Sequence, residues 1–153
     1  MKRILILSPH TDDGELGCGG SIARFVEGDF EVFYAALSAC EKSVPSEYPP
    51  DILKREVEAA TKILRIDKSN LLIFDFDVRE FPKLRQKILD TLIKIREEIK
   101  PDWVFTPSSF DTHQDHKITR EKTLRAFKKF TILGYEQPWN NITFNTVLHK
   151  VER

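Results

Sequence analysis

The sequence predicts an α/β fold: a Rossmann-like three-layer sandwich in which helices cover both faces of a mostly parallel sheet. Four apolar runs of strand length, at 4–7, 31–37, 71–74 and 103–106, alternate with longer segments of helical periodicity. Repeated strand–helix units imply right-handed crossovers and parallel strands. We therefore expect the strand order 3-2-1-4-5, in which strands 1 and 4 flank the crevice where such sheets bind ligands.

The helices follow from the spacing of apolar residues and from signals at their ends. Four segments have the helical spacing: 21–27, 51–64, 82–100 and 118–130. The first helix is expected to begin near Glu15 or Leu16 and to end at Gly28, and the second has Asp51 as its N-cap. Residues 143–148 are expected to supply a last strand.

Composition bounds the class of protein. The chain has 153 residues, which suits one domain with a sizeable core. Its 24 Lys and Arg balance 24 Asp and Glu, so no charge excess indicates a nucleic-acid or anionic-membrane partner. Two cysteines make no disulfide framework, and no apolar run suits a signal peptide or a membrane span. We expect a cytoplasmic protein without membrane insertion.

Two polar clusters follow strands 1 and 4 of the predicted sheet. The first contains His10, Asp12 and Asp13, and the second extends from Asp111 to His116. Because the carboxyl ends of parallel strands meet at one edge, both clusters are expected to form a single site. Imidazoles and carboxylates on one loop can hold a divalent metal with a base beside it. Taken alone, the first cluster could equally be a turn with a helix N-cap.

These clusters resemble the motifs of a known family. HTDDGELGCGG at 10–20 and HQDH at 113–116 are similar to the two motifs of the LmbE-like, PIG-L-type zinc-dependent N-acetylglucosaminyl de-N-acetylases. The resemblance extends over essentially the whole chain. Thr11 stands where the family usually has proline, and family members commonly continue beyond the equivalent of Arg153. We therefore expect residues 1–153 to form a single deacetylase domain that lacks part of the family's C-terminal region.

The resemblance implies a metal site. His10, Asp13 and His116 are the expected ligands, a set that leaves positions on a zinc ion open for water and a substrate carbonyl. Non-haem Fe(II) oxygenases use the same set of ligand types, so spacing alone leaves Fe²⁺ or another divalent metal open. A second carboxylate beside the ligand carboxylate favours hydrolysis.

The resemblance also assigns catalytic and substrate-binding roles. Asp12 is expected to act as the general base, and His113 to stabilise the oxyanion when protonated or to donate a proton to the leaving amine. Asp115 is expected to orient a histidine. Glu15 and Arg55 are expected to bind substrate, although spacing alone would make Arg55 a solvated helix residue.

The predicted function is metal-dependent removal of an acetyl group from an N-acetylglucosamine-type sugar or conjugate. The alternative is a non-catalytic zinc- or ligand-binding protein of the same fold. Nucleotide binding is a weaker alternative, because Ile22 occupies a position where the G-x-G-x-x-G motif requires glycine. A short C-terminus would leave apolar faces exposed, so we expect a homo-oligomer that acts on a small molecule and binds no nucleic acid.

Overall fold

A computed structural model describes residues 1–143 of the chain. Its sheet has five parallel strands in the order β3-β2-β1-β4-β5, which confirms the predicted order and fold class. The strands are β1 (Arg3–Ser8), β2 (Glu31–Ala36), β3 (Leu71–Ile73), β4 (Trp103–Pro107) and β5 (Thr131–Tyr135).

The fifth strand lies earlier in the chain than expected. Of the segment predicted to supply it, Thr143 lies in a bend, and 144–148 are outside the described residues. β5 instead follows α4 directly and contains Gly134, which weakens the sequence signal for a strand. A Cβ at Gly134 would lie 3.3 Å from Ser108 Cα, so the backbone just beyond β4 leaves little room for a side chain there.

Helices cover both faces of the sheet: α1 (Asp13–Glu27), α2 (Ile52–Ile63), α3 (Arg85–Ile99) and α4 (Gln114–Ala126). α1 begins at Asp13, slightly earlier than expected, and bends at Cys18, whose backbone leaves helical geometry. α3 begins later than predicted because a separate 3-10 turn, Phe81–Lys83, precedes it. α4 begins four residues earlier than predicted, which places His116 within the helix.

The core has two halves because side chains of β1 alternate between the two faces of the sheet. Leu5 and Leu7 pack with α3 and α4, whereas Ile4 and Ile6 pack with α1 and α2. All four side chains are fully buried. This packing is the three-layer sandwich that the sequence predicts, and it holds the carboxyl ends of β1 and β4 side by side.

The glycines of the first motif have different surroundings. A Cβ at Gly17 would collide with the ring of Tyr135, so β5 and α1 approach closely at that point. A Cβ at Gly19 or Gly20 would have open space around it. Among the described helices, none has the length and apolar character needed to span a membrane.

Candidate metal centre

Three predicted ligand atoms meet at the carboxyl ends of β1 and β4. Asp13 Oδ2 lies 3.1 Å from His10 Nδ1 and 3.1 Å from His116 Nε2, and the two nitrogens are 3.3 Å apart. Ligands about 2.0–2.1 Å from a tetrahedral zinc ion lie about 3.3 Å from one another. The three atoms therefore already have the spacing of one face of a zinc coordination shell.

A third imidazole adjoins this triangle. His10, His113 and His116 each have one ring nitrogen that lies within 4.8 Å of the corresponding nitrogens of the other two. His113 is the N-cap of α4, where its Nδ1 accepts a hydrogen bond from the backbone N–H of Asp115 at 3.2 Å. An accepting Nδ1 leaves the proton of the neutral ring on Nε2. His113 could thus either contribute a ligand to an ion held by the triangle or donate a hydrogen bond beside it.

Two buried carboxylates hold the outer ring nitrogens of His10 and His116. Asp111 Oδ2 lies 2.7 Å from His116 Nδ1, and Asp115 Oδ2 lies 3.0 Å from His10 Nε2. Both aspartates are at most 2% exposed. Such contacts fix the ring orientation and tautomer of metal-binding histidines. Asp115 therefore contacts His10. Asp111 contacts His116 in the same way, although the sequence predicts no role for Asp111.

Gln137 holds the other oxygen of Asp13. Its Nε2 donates to Asp13 Oδ1 at 2.8 Å, and its Oε1 accepts from Asn140 Nδ2 at 3.0 Å. Gln137 is buried, at 1% exposure. Asp13 consequently presents only Oδ2 to the two histidines. Sequence reasoning missed Gln137 because a single amide 124 positions beyond Asp13 carries no motif.

Ser8 and Tyr34 brace the loop between β1 and α1. Ser8 Oγ accepts from the Gly14 N–H at 2.8 Å, and the Tyr34 hydroxyl donates to the Thr11 carbonyl at 2.9 Å. A Cβ at Gly14 would lie 2.8 Å from atoms of both Ile6 and Tyr34, so the loop packs tightly over the sheet. This bracing keeps His10 and Asp13 close together.

The proximity of these groups shifts their pKa values. Burial lowers the pKa of His10, but contacts with Asp115 and Asp13 outweigh it and raise that pKa to about 9. The pKa of His116 also rises, because Asp111 and Asp13 outweigh its burial. Burial raises the pKa of Asp13, but the two histidines hold it well below its usual range. The site therefore concentrates negative charge that a cation, a proton or a metal, can neutralise.

Asp12 differs from its buried neighbour Asp13 in having an exposed side chain. It occupies the N-cap position of α1, yet its carboxylate makes no capping hydrogen bond. Loss of hydration and the nearby Asp13 raise its pKa. Asp12, His10 and His113 line a cleft of about 290 Å³ together with Leu53 and Arg79. A carboxylate of raised basicity is thus available where a small ligand can enter.

The two predicted substrate-binding residues do not line this cleft. Arg55 is exposed and pairs with Asp51 at 2.8 Å, and it borders a different cavity. Leu53 of α2 lines the cleft. Side chains two residues apart on a helix point in directions that differ by about 200°, so Arg55 lies on the opposite side of α2 from the cleft. Glu15 lies in the first turn of α1 with Oε2 buried, and burial, Asp12 and Glu56 raise its pKa to about 7.

Comparison with known proteins gives relatives of the same kind. The chain is 31% identical over 150 residues to the uncharacterized deacetylase YaiS of Escherichia coli. This match covers 94% of the present chain and 78% of YaiS. It is 26% identical over 125 residues to the diacetylchitobiose deacetylase of Thermococcus kodakarensis, covering 76% of this chain and 46% of the relative. The chain thus spans slightly less than half of that enzyme.

A solved structure shares the fold. The N,N'-diacetylchitobiose deacetylase of Pyrococcus horikoshii superposes with a TM-score of 0.74 at 22% identity, over 90% of this chain and 61% of that one. In addition, residues 5–127 match the family described as PIG-L: GlcNAc-PI de-N-acetylase. That match spans both histidine clusters and all four helices, and it confirms the resemblance seen in the motifs. The chain belongs to the PIG-L (GlcNAc-PI de-N-acetylase) family.

Proposed function

We propose that this protein is a metal-dependent de-N-acetylase that hydrolyses the acetamide of an N-acetylglucosamine-type sugar or conjugate. The observation that carries the proposal is the triangle of His10 Nδ1, Asp13 Oδ2 and His116 Nε2, with the exposed Asp12 in the same cleft. Family membership supports the reaction class. The names of the archaeal relatives, both diacetylchitobiose deacetylases, support the substrate class.

The proposed metal ligands are His10, Asp13 and His116, and the proposed ion is Zn²⁺, with Fe²⁺ as the alternative. Their spacing fits a tetrahedral ion, and each ligand is held from outside by another buried polar side chain. A divalent ion bound there supplies Lewis-acid activation of water and of the acetamide carbonyl.

The protein's own groups handle the protons. Asp12 takes a proton from the attacking water as the new C–O bond forms at the acetyl carbon. The C–N bond then breaks, and the proton passes to the departing nitrogen, which leaves as the free amine of the sugar with acetate as the other product. We assign to His113 a hydrogen bond from Nε2–H to the carbonyl oxygen, where negative charge develops. Burial and the two other histidines lower the pKa of His113, which favours this neutral donor form.

An acetate-release assay tests the proposal. Purified protein is treated with chelator, re-equilibrated with Zn²⁺ or Fe²⁺, and incubated with N-acetylglucosamine and with diacetylchitobiose. We expect metal-dependent release of one acetate for each amine formed. A protein that binds metal and sugar stoichiometrically but releases no acetate would instead be the non-catalytic binding protein of this fold.

We further propose that the protein is a cytoplasmic homo-oligomer. Both cysteines are buried free thiols, which suits a reducing compartment. Phe110, Trp139 and Ile142 are exposed apolar side chains on two loops that hydrogen-bond to each other, and such patches commonly form interfaces.

Light scattering over a dilution series tests the oligomer. We expect a particle larger than one chain, which Trp139→Lys shifts toward the monomer because the substitution places a charge in the patch. Ile63→Lys is the matched control, since Ile63 is 80% exposed and lies at the end of α2. A monomer at all concentrations would contradict the proposal.

A further inference from the structure

Gln137 contacts Asp13 twice, once at the side chain and once at the backbone. Its Nε2 donates to Asp13 Oδ1 at 2.8 Å and to the Asp13 carbonyl oxygen at 3.2 Å. The other carboxylate oxygen, Oδ2, accepts from the backbone N–H of His10 at 2.8 Å and faces the ring nitrogens of His10 and His116. The two oxygens of Asp13 therefore have separate partners, and only Oδ2 lies on the side of the metal centre.

The amide of Gln137 can lie only one way round. A carboxylate accepts hydrogen bonds and donates none, so the reversed amide would place Oε1 against Asp13 Oδ1 with no proton between them. In the observed orientation Oε1 accepts from Asn140 Nδ2 at 3.0 Å. Gln137 is also buried, at 1% exposure, so bulk water does not compete for its amide. Its role toward Asp13 is therefore that of a fixed donor.

The turn that carries these amides is fastened to the second histidine motif. The Asn140 N–H donates to the Gln137 carbonyl at 3.1 Å and closes the turn. The Asn140 carbonyl accepts from the Thr112 N–H at 2.9 Å and from the Thr112 hydroxyl at 3.0 Å. Because Thr112 directly precedes His113, the turn connects Asp13 of the first motif to the backbone of the second. Gln137 is thus held in place from both sides of the site.

We propose that Gln137 is a positioning residue of the metal centre, which keeps Asp13 bound to the ion through Oδ2 alone. This inference rests on the proposed function for the ligand set of His10, Asp13 and His116. A carboxylate can bind a metal through one oxygen or through both, and the second oxygen would take a position that water or the acetamide carbonyl needs. Gln137 prevents this by engaging Oδ1. As a neutral donor, it leaves the negative charge of Asp13 to the ion.

Three variants separate this role from a contribution to folding. Gln137→Met keeps nearly the length of the side chain but has no hydrogen-bond donor, so it releases Asp13 Oδ1. Asn140→Ala is a milder change at a partly exposed residue and removes the partner of the Gln137 Oε1. Thr123→Val is the matched control, because it removes a buried hydroxyl that donates to the Thr119 carbonyl at 2.7 Å, away from the proposed ligands.

Zinc affinity is measured by chelator competition, and the coordination number is followed in the visible spectrum of Co²⁺-loaded protein. We expect Gln137→Met to bind zinc roughly 10–100-fold more weakly, the usual cost of losing an outer partner of a metal ligand. Its Co²⁺ absorption should also weaken, because Oδ1 can then join the ion and four-coordinate Co²⁺ absorbs more strongly than ions of higher coordination number. Asn140→Ala should shift both readouts in the same direction by less, and Thr123→Val neither. Thermal unfolding of the metal-free proteins gives the stability lost in each.

An unchanged cobalt spectrum in Gln137→Met would overturn the inference. An equal change in Thr123→Val would also overturn it, because lost stability alone would then explain the effect. If Gln137→Met does not fold, the same two measurements on Asn140→Ala decide the question.

The wild-type protein distinguishes this inference from the proposed function. Metal binding that survives His116→Ala would refute the proposed ligand set, and the inference with it. Binding that depends on His116 but gives no acetate release would refute the proposed enzyme activity. A cobalt spectrum that depends on Gln137 would in that case still support the positioning role.

Discussion

His116→Ala is expected to abolish stoichiometric zinc binding, whereas His113→Ala is expected to retain it. His116 Nε2 is one of three atoms spaced as ligands of one ion, and its Nδ1 is held by the buried Asp111. Loss of an outer partner of a metal ligand typically costs 10–100-fold in affinity, so loss of the ligand itself should cost more. His113 lies beside the triangle, with its Nδ1 engaged by the backbone of α4.

The measurement is metal content after chelator treatment and re-equilibration with zinc, followed by competition with a chelator of known affinity. Circular dichroism of each variant controls for folding. Unchanged zinc binding in His116→Ala would refute the proposed ligand set. Loss of zinc in both variants would make the three imidazoles, and not the set with Asp13, the ligands, since a nitrogen of each lies within the same 4.8 Å group.

Asp12→Asn is expected to keep the metal and to lose roughly 10²–10⁴-fold in activity, the usual contribution of a positioned general base. Asparagine has nearly the shape of aspartate and is an equally good N-cap, so the start of α1 should be preserved. All three proposed ligands also remain. The activity is followed as acetate release from N-acetylglucosamine, at saturating zinc.

Asp67→Asn is the matched control for this substitution. Asp67 is an exposed N-cap aspartate whose side chain accepts a hydrogen bond from the Ser69 N–H, and it lies outside the cleft. The control should show wild-type activity. If Asp12→Asn lost metal and activity in equal measure, Asp12 would be a ligand. If it kept full activity, the base would be another group.

The sequence alone predicts that the two polar clusters, after β1 and β4, lie close together. The runs at 4–7 and 103–106 have strand length and composition, and each is followed directly by its polar residues. A parallel α/β sheet places such positions at one edge, so the meeting of His10 and His116 follows from local pattern and topology together. The sequence does not predict where α4 begins: the helix starts at Gln114, because His113 caps it with a ring nitrogen, and histidine is not a typical capping residue.

The sequence by itself determined the fold class, the strand order and the two motifs that identify the family, because hydrophobic periodicity and motif spacing are local properties. Only the tertiary structure decided which groups surround those motifs. Gln137 meets Asp13 across 124 positions, Arg79 reaches the centre through its backbone, and Arg55 turns away because of the phase of α2. These placements depend on contacts between distant segments and on the direction of single side chains, which no local pattern encodes.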